Sequence, residues 1–107
     1  MQVFIIGSPL ETAMVLDSAR SRKQIIECSQ ILTAIISKSG WSNHPCVLQY
    51  RGYEGWIFAY QRCLAYYLEG DMERARFMNF HASNITPEWH TREYYEQMKR
   101  RLYTKKP

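Results

Sequence analysis

From residue 9 onward the apolar positions recur mostly at intervals of three and four, the period of helices that bury one face. The chain opens differently: Gln2 to Ile6 contains the unbroken run Val3-Phe4-Ile5-Ile6 and reads as a short, extended, buried lead-in. In Gly7-Ser8-Pro9-Leu10-Glu11, Ser8 can cap a helix, Pro9 can occupy its first position and Glu11 can complete a capping box. A first short helix should run from there to about Asp17. Arg20 to Ser37 forms a long amphipathic helix that ends at Lys38-Ser39-Gly40, with a cation and a glycine suited to a C-terminus. At about 100° per residue, Arg20, Lys23, Glu27 and Gln30 share one stripe of it. Ile25, Cys28, Leu32, Ile35 and Ile36 fall on the other side.

Trp41 to Pro45 reads as a turn, with Pro45 opening another helical segment. Tyr53 to Glu69 carries Trp56, Tyr60, Cys63, Leu64 and Tyr67 at helical spacing before Gly70-Asp71 closes it. Asp71 then caps a short helix through Asn79. Thr86-Pro87-Glu88 resembles a further start signal, for a last helix from Trp89 to Tyr103. The pattern predicts an all-α fold: a compact helical bundle with a short extended N-terminal segment, forming one domain over residues 1–107.

Composition supports one core, since 46% of the 107 residues are hydrophobic and 14% aromatic. The charge adds direction. Fourteen Lys plus Arg stand against ten Asp plus Glu, a net charge of +4. Residues 1–19 contain no cation, whereas Arg92, Lys99, Arg100, Arg101, Lys105 and Lys106 crowd the end of the chain. A basic long helix and tail suit a polyanionic partner. The three cysteines, Cys28, Cys46 and Cys63, show no C-x-x-C spacing, so neither a disulfide framework nor a zinc knuckle is expected. Cys28 and Cys63 read as core residues. The run Val3 to Ile6 is far short of a signal segment or a membrane span, and a reduced cytoplasmic setting is expected.

His44, His81 and His90 lack metal-binding spacing, so no metal or other cofactor is expected. No serine or cysteine nucleophile signature and no phosphate-cradling glycine loop is present. Trp41, Tyr50, Tyr53 and Trp56 surround His44 and Arg51, a mixture that could stack on displaced bases while cations hold phosphates. Trp56 and Tyr60 are instead expected to face the core. The stretch from Asp17 to Leu32 sets a single glutamate, Glu27, among Arg20, Arg22 and Lys23, which suits chemistry on a polyanion. The same spacing also fits an ordinary exposed Lys23–Glu27 pair, although a cation on the N-terminal side is the weaker order for one.

Three blocks together resemble the pyrimidine-dimer DNA glycosylases, the endonuclease V type encoded by phages and some bacteria. They are Met1 to Ile5, Asp17 to Leu32, and Gly40 to Pro45 followed by Tyr50 to Glu54. Pro87 to Arg92 is similar to a shortened form of that family's C-terminal part. The resemblance implies a helical fold and base excision in which the chain's own terminal amine attacks the sugar C1′ of a damaged nucleotide. It also implies a glutamate on the long helix that assists imine formation and strand breakage. Glu27 occupies the matching position. Gln2 is bulky, so Met1 is expected to be retained and its amine to be the nucleophile. An α-amine with a pKa near 7.7–8.0 is roughly 10–20% neutral at pH 7, whereas an ordinary lysine is almost wholly protonated.

The expected function is therefore a DNA glycosylase with abasic-site lyase activity on damaged or modified pyrimidines in duplex DNA, acting as a monomer. Met1 and Glu27 are the expected catalytic groups. Arg20, Arg22, Lys23, His44, Arg51, Lys99, Arg100 and Arg101 are the expected DNA contacts. Two alternatives stay open: a non-catalytic DNA-binding or host-interaction protein on the same scaffold, and a purely protein-binding helical module.

Overall fold

The computed structural model describes residues 2–37 and 43–104. Among them every regular element is a helix: α1 (Pro9–Val15), α2 (Ser18–Ser37), α3 (Pro45–Tyr50), α4 (Glu54–Leu68), α5 (Met72–Ser83) and α6 (Arg92–Thr104). The fold is all-α. Met1, the Lys38-Ser39-Gly40 helix end, Trp41, and Lys105 and Lys106 lie outside the described residues.

Local capping sets several boundaries. The box at α1 forms as its sequence suggests: the Ser8 hydroxyl accepts from the Glu11 N–H at 3.2 Å, and the Glu11 carboxylate accepts from the Ser8 N–H at 2.9 Å. α1 stops at Val15, short of Asp17, because Asp17 begins α2 by accepting the Arg20 N–H at 2.8 Å. Pro45 opens α3, with the His44 side chain as its cap. Gly70 turns the chain at a positive φ of 80°, and Asp71 caps α5 through the Arg74 N–H.

The core gathers around α4, whose Trp56, Ile57, Ala59, Tyr60 and Leu64 are buried against α2, α5 and α1. Cys28 and Cys63 are buried as expected, and burial pushes both thiols up, that of Cys63 to about 11. The buried seam of α2 differs from the expected face. It comprises Ser21, Gln24, Cys28, Ile31, Ala34 and Ile35, while Ile36 is 77% exposed. The seam is turned because α2 packs on the N-terminal segment as well as on α4.

That segment has no strand partner among the described residues, so side chains satisfy its backbone. The Gln24 carbonyl oxygen accepts from the Phe4 N–H at 2.9 Å, and its NH₂ donates to the Gln2 carbonyl at 2.8 Å. The Tyr60 hydroxyl donates to the Phe4 carbonyl, and Thr12 accepts from the Ile6 N–H at 3.1 Å. Val3 and Ile5 thereby enter the main core, while Ile6 joins Leu16, Met98 and Leu102 in a second cluster that docks α6.

Two expected boundaries are corrected. α5 continues past Asn79 to Ser83, since Ala82 is still packed in the core. α6 begins at Arg92 instead of Trp89. Thr86 donates its hydroxyl to the Ala82 carbonyl and does not cap; the ring of His90 is buried and that of Trp89 half-buried; and Thr91 accepts the Tyr94 N–H at 3.2 Å.

Gln24→Leu keeps the side-chain bulk but removes these bonds and leaves the Phe4 N–H without its acceptor. Denaturant unfolding should show a loss of about 2–4 kcal/mol, and the Phe4 amide should exchange faster.

Candidate active site

Glu27 lies one helical turn beyond Gln24, half-buried at the margin of the α2 seam. No ion pair joins it to Lys23 among the described residues. Its Oε2 accepts at 2.8 Å from the Gln24 Nε2, the same nitrogen that donates to the Gln2 carbonyl at 2.8 Å. One amide thus holds the start of the backbone and the Glu27 carboxylate side by side. Met1, which carries the expected nucleophile, lies outside the described residues.

Beside this junction an open cleft of about 800 Å³ is lined by Gln2, His44, Cys46, Tyr50, Tyr94 and Arg101, among others. Its floor comes from the N-terminal segment and α3, and one wall from α6. The His44 Nδ1 accepts the Cys46 N–H at 3.1 Å, which fixes the ring at the start of α3. Burial pushes the Cys46 thiol up, the backbone N–H of Val3 opposes that rise, and the negative charge of Glu27 adds to it.

The expected DNA contacts are divided among several faces. His44 and Arg101 meet at the cleft. Arg22 and Lys23 are exposed on α2, and Arg20 pairs with Asp17 at 3.3 Å at the start of that helix. Arg51 is exposed at the C-terminal cap of α3. Helical rotation turns Lys99, Arg100 and Arg101 toward different directions around α6. Lys99 pairs with Glu96 at 3.5 Å, and Arg100 borders a shallow groove with Arg92 and Gln97. Trp56 and Tyr60 face the core as expected, whereas the expected stacking surface is revised at Tyr50, which is fully buried; Tyr53 is half-buried, and Trp41 lies outside the described residues.

Sequence reasoning missed Gln24 and His90. Gln24 sits in the seam spacing 21, 24, 28, 31, 35, a signal obscured by its polar side chain. His90 lies within an aromatic cage, edge-on to Trp56 and Trp89 at 4.6 and 4.4 Å and stacked on Tyr94 at 5.5 Å. Its Nε2 is 2.9 Å from the Tyr50 hydroxyl, and its buried Nδ1 has no partner. Burial in this cage lowers the imidazole to about 4. No cluster of three or more metal-ligating side chains occurs among the described residues. None of their helices is long and apolar enough to cross a membrane.

Because His90 titrates lower in the folded chain than in an unfolded one, its contribution is fully present above about pH 6.5 and is lost as the pH falls toward 4. Unfolding free energy should decline through that window by at most about 1.4 kcal/mol per pH unit from this group. His90→Gln should flatten the slope in pH-dependent denaturant titrations.

The family model described as pyrimidine dimer DNA glycosylase matches residues 1–70, which include Gln24, Glu27, His44 and Arg51. No curated protein and no solved structure matches the chain. With well over half its length matched, the chain belongs to the pyrimidine dimer DNA glycosylase family.

Proposed function

We propose that the protein excises damaged or modified pyrimidines from duplex DNA and then cleaves the strand at the abasic site, using the amine of Met1 as nucleophile and Glu27 as its acid/base partner. The observation that carries this reading is the shared Gln24 amide, which brings the Gln2 carbonyl and the Glu27 carboxylate onto one nitrogen beside the cleft. The proposed nucleophile belongs to the residue that precedes Gln2 in the sequence. Family membership adds the substrate class.

In this mechanism the neutral amine attacks C1′. The bond from C1′ to the base breaks as the bond to the amine forms, and the base departs with a proton. Sugar-ring opening then sends the C1′–O4′ electrons to O4′, which gains a proton while the nitrogen loses one, leaving an imine. Glu27 removes a C2′ proton, the 3′ phosphate is expelled, and water hydrolyses the imine to free the amine. Exposing the sugar requires bending or flipping that costs a few kcal/mol, and damage lowers that cost. Arg22, Lys23 and Arg51 on the outer surface and His44 and Arg101 in the cleft would neutralise phosphates, so affinity should fall steeply with salt.

Incubation with ultraviolet-irradiated or abasic duplex plus borohydride should trap a covalent protein–DNA adduct at the N-terminal residue. Glu27→Gln should reduce strand cleavage by about 10²-fold or more while leaving salt-sensitive binding largely intact. Binding without adduct or nicking in the wild type would reject the enzymatic reading in favour of a DNA-binding protein.

A further inference from the structure

Opening a duplex at one nucleotide breaks base stacking, and an apolar side chain inserted between base steps is one way to hold the opened form. The cleft has such a side chain on α3. Among the described residues, Leu48 is the large, strongly exposed apolar side chain that borders the cleft, at 49% exposure. Ile36, Phe77 and Phe80 are more exposed but do not line it. A lone exposed leucine is ordinary on a protein surface, so its support and its neighbours decide the matter.

The support is rigid. Although α3 has only six residues, Val47 and Tyr50, which precede and follow Leu48 on that helix, are fully buried. The Tyr50 ring stacks on Trp56 at 5.6 Å and meets Trp89 edge-on at 4.9 Å, and its hydroxyl oxygen is 2.9 Å from the His90 Nε2. The Leu48 N–H donates to the His44 carbonyl at 3.0 Å. The backbone beneath Leu48 is therefore ordered before any contact with DNA, and burying its side chain against a base takes little further entropy from the main chain. Tyr50, expected to stack on displaced bases, is instead a brace under the helix that faces them.

The neighbours suit an opened duplex. His44, Leu48 and Arg51 follow the i, i+4, i+7 spacing of one helix face, with His44 and Arg51 as the two caps of α3. An imidazole and a guanidinium, both phosphate-binding groups, thus bracket one apolar side chain. A strand with broken stacking offers the matching order, with phosphates on the outside and a bare base face between them.

We infer that Leu48 is a wedge that enters the duplex beside the nucleotide undergoing excision and occupies the space it leaves, with Val47 and Tyr50 as positioning residues that brace α3. This inference rests on the cleft being the substrate site. It assigns the holding of the nucleotide outside the stack to a group separate from Met1 and Glu27.

Two duplexes distinguish a wedge from an ordinary contact: one fully paired around a pyrimidine dimer, the other with the same lesion in an unpaired loop where stacking is already broken. A 2-aminopurine beside the lesion reports unstacking by its fluorescence. Leu48→Ala should weaken equilibrium binding to the paired duplex about 10-fold and remove most of the fluorescence rise that the wild type produces. On the looped duplex the loss should be under about 2-fold. Leu48→Met, which keeps an apolar side chain of similar size, should restore both readouts, and neither variant should shift the unfolding midpoint by more than a few degrees. Equal weakening on both duplexes would make Leu48 an ordinary contact and overturn the inference. So would a Leu48→Ala protein that binds and unstacks like the wild type, or a wild type that leaves the 2-aminopurine stacked. Binding and unstacking require no bond to be made or broken, so these readouts remain decisive if the wild type traps no adduct, the result that would instead reject the imine mechanism.

Discussion

A primary amide carries two N–H donors and a carbonyl acceptor, and the side chain of Gln24 is almost completely enclosed while using both kinds of group. Its oxygen receives the Phe4 N–H and lies 3.2 Å from the Tyr60 hydroxyl oxygen; its nitrogen supplies Gln2 and Glu27. An extended segment beside helices ordinarily needs a neighbouring strand to satisfy its backbone. Here one glutamine substitutes for part of that strand and leaves the segment narrow enough for Val3 and Ile5 to reach the core. The same amide holds the Gln2 carbonyl and the Glu27 carboxylate on one nitrogen, so the N-terminal segment and that carboxylate are tied to one side chain.

The electrostatic picture follows from helix rotation more than from net charge. Consecutive cations on α6 point in different directions, and only Arg101 of the three reaches the cleft. On α2 the exposed cations flank Glu27 without pairing to it, while Arg20 and Asp17 stabilise the start of the helix. The hydrogen-bond partner of the Glu27 carboxylate on this positive surface is a neutral amide and not a lysine.

Short-range features were readable in the sequence because their partners lie within a few residues. The Ser8–Glu11 box, Pro45 at the start of α3 and the Asp71 cap each depend on local geometry. Glu27 stood out by its cationic neighbours. Gln24 did not, because its burial is justified by a carbonyl 22 residues away. The false helix start at Thr86-Pro87-Glu88 has a similar origin: residues with good local capping chemistry were claimed by α5 and by the aromatic cage. The rotated seam of α2 likewise reflects a contact with the N-terminal segment that helical periodicity alone does not encode.

Two of the protein's three tryptophans, buried Trp56 and half-buried Trp89, stand edge-on to His90 within 5 Å. Imidazolium is an efficient quencher of indole emission, whereas neutral imidazole is a weak one. The molecule therefore carries an internal optical indicator, and its intrinsic fluorescence follows the state of the cage without any attached dye.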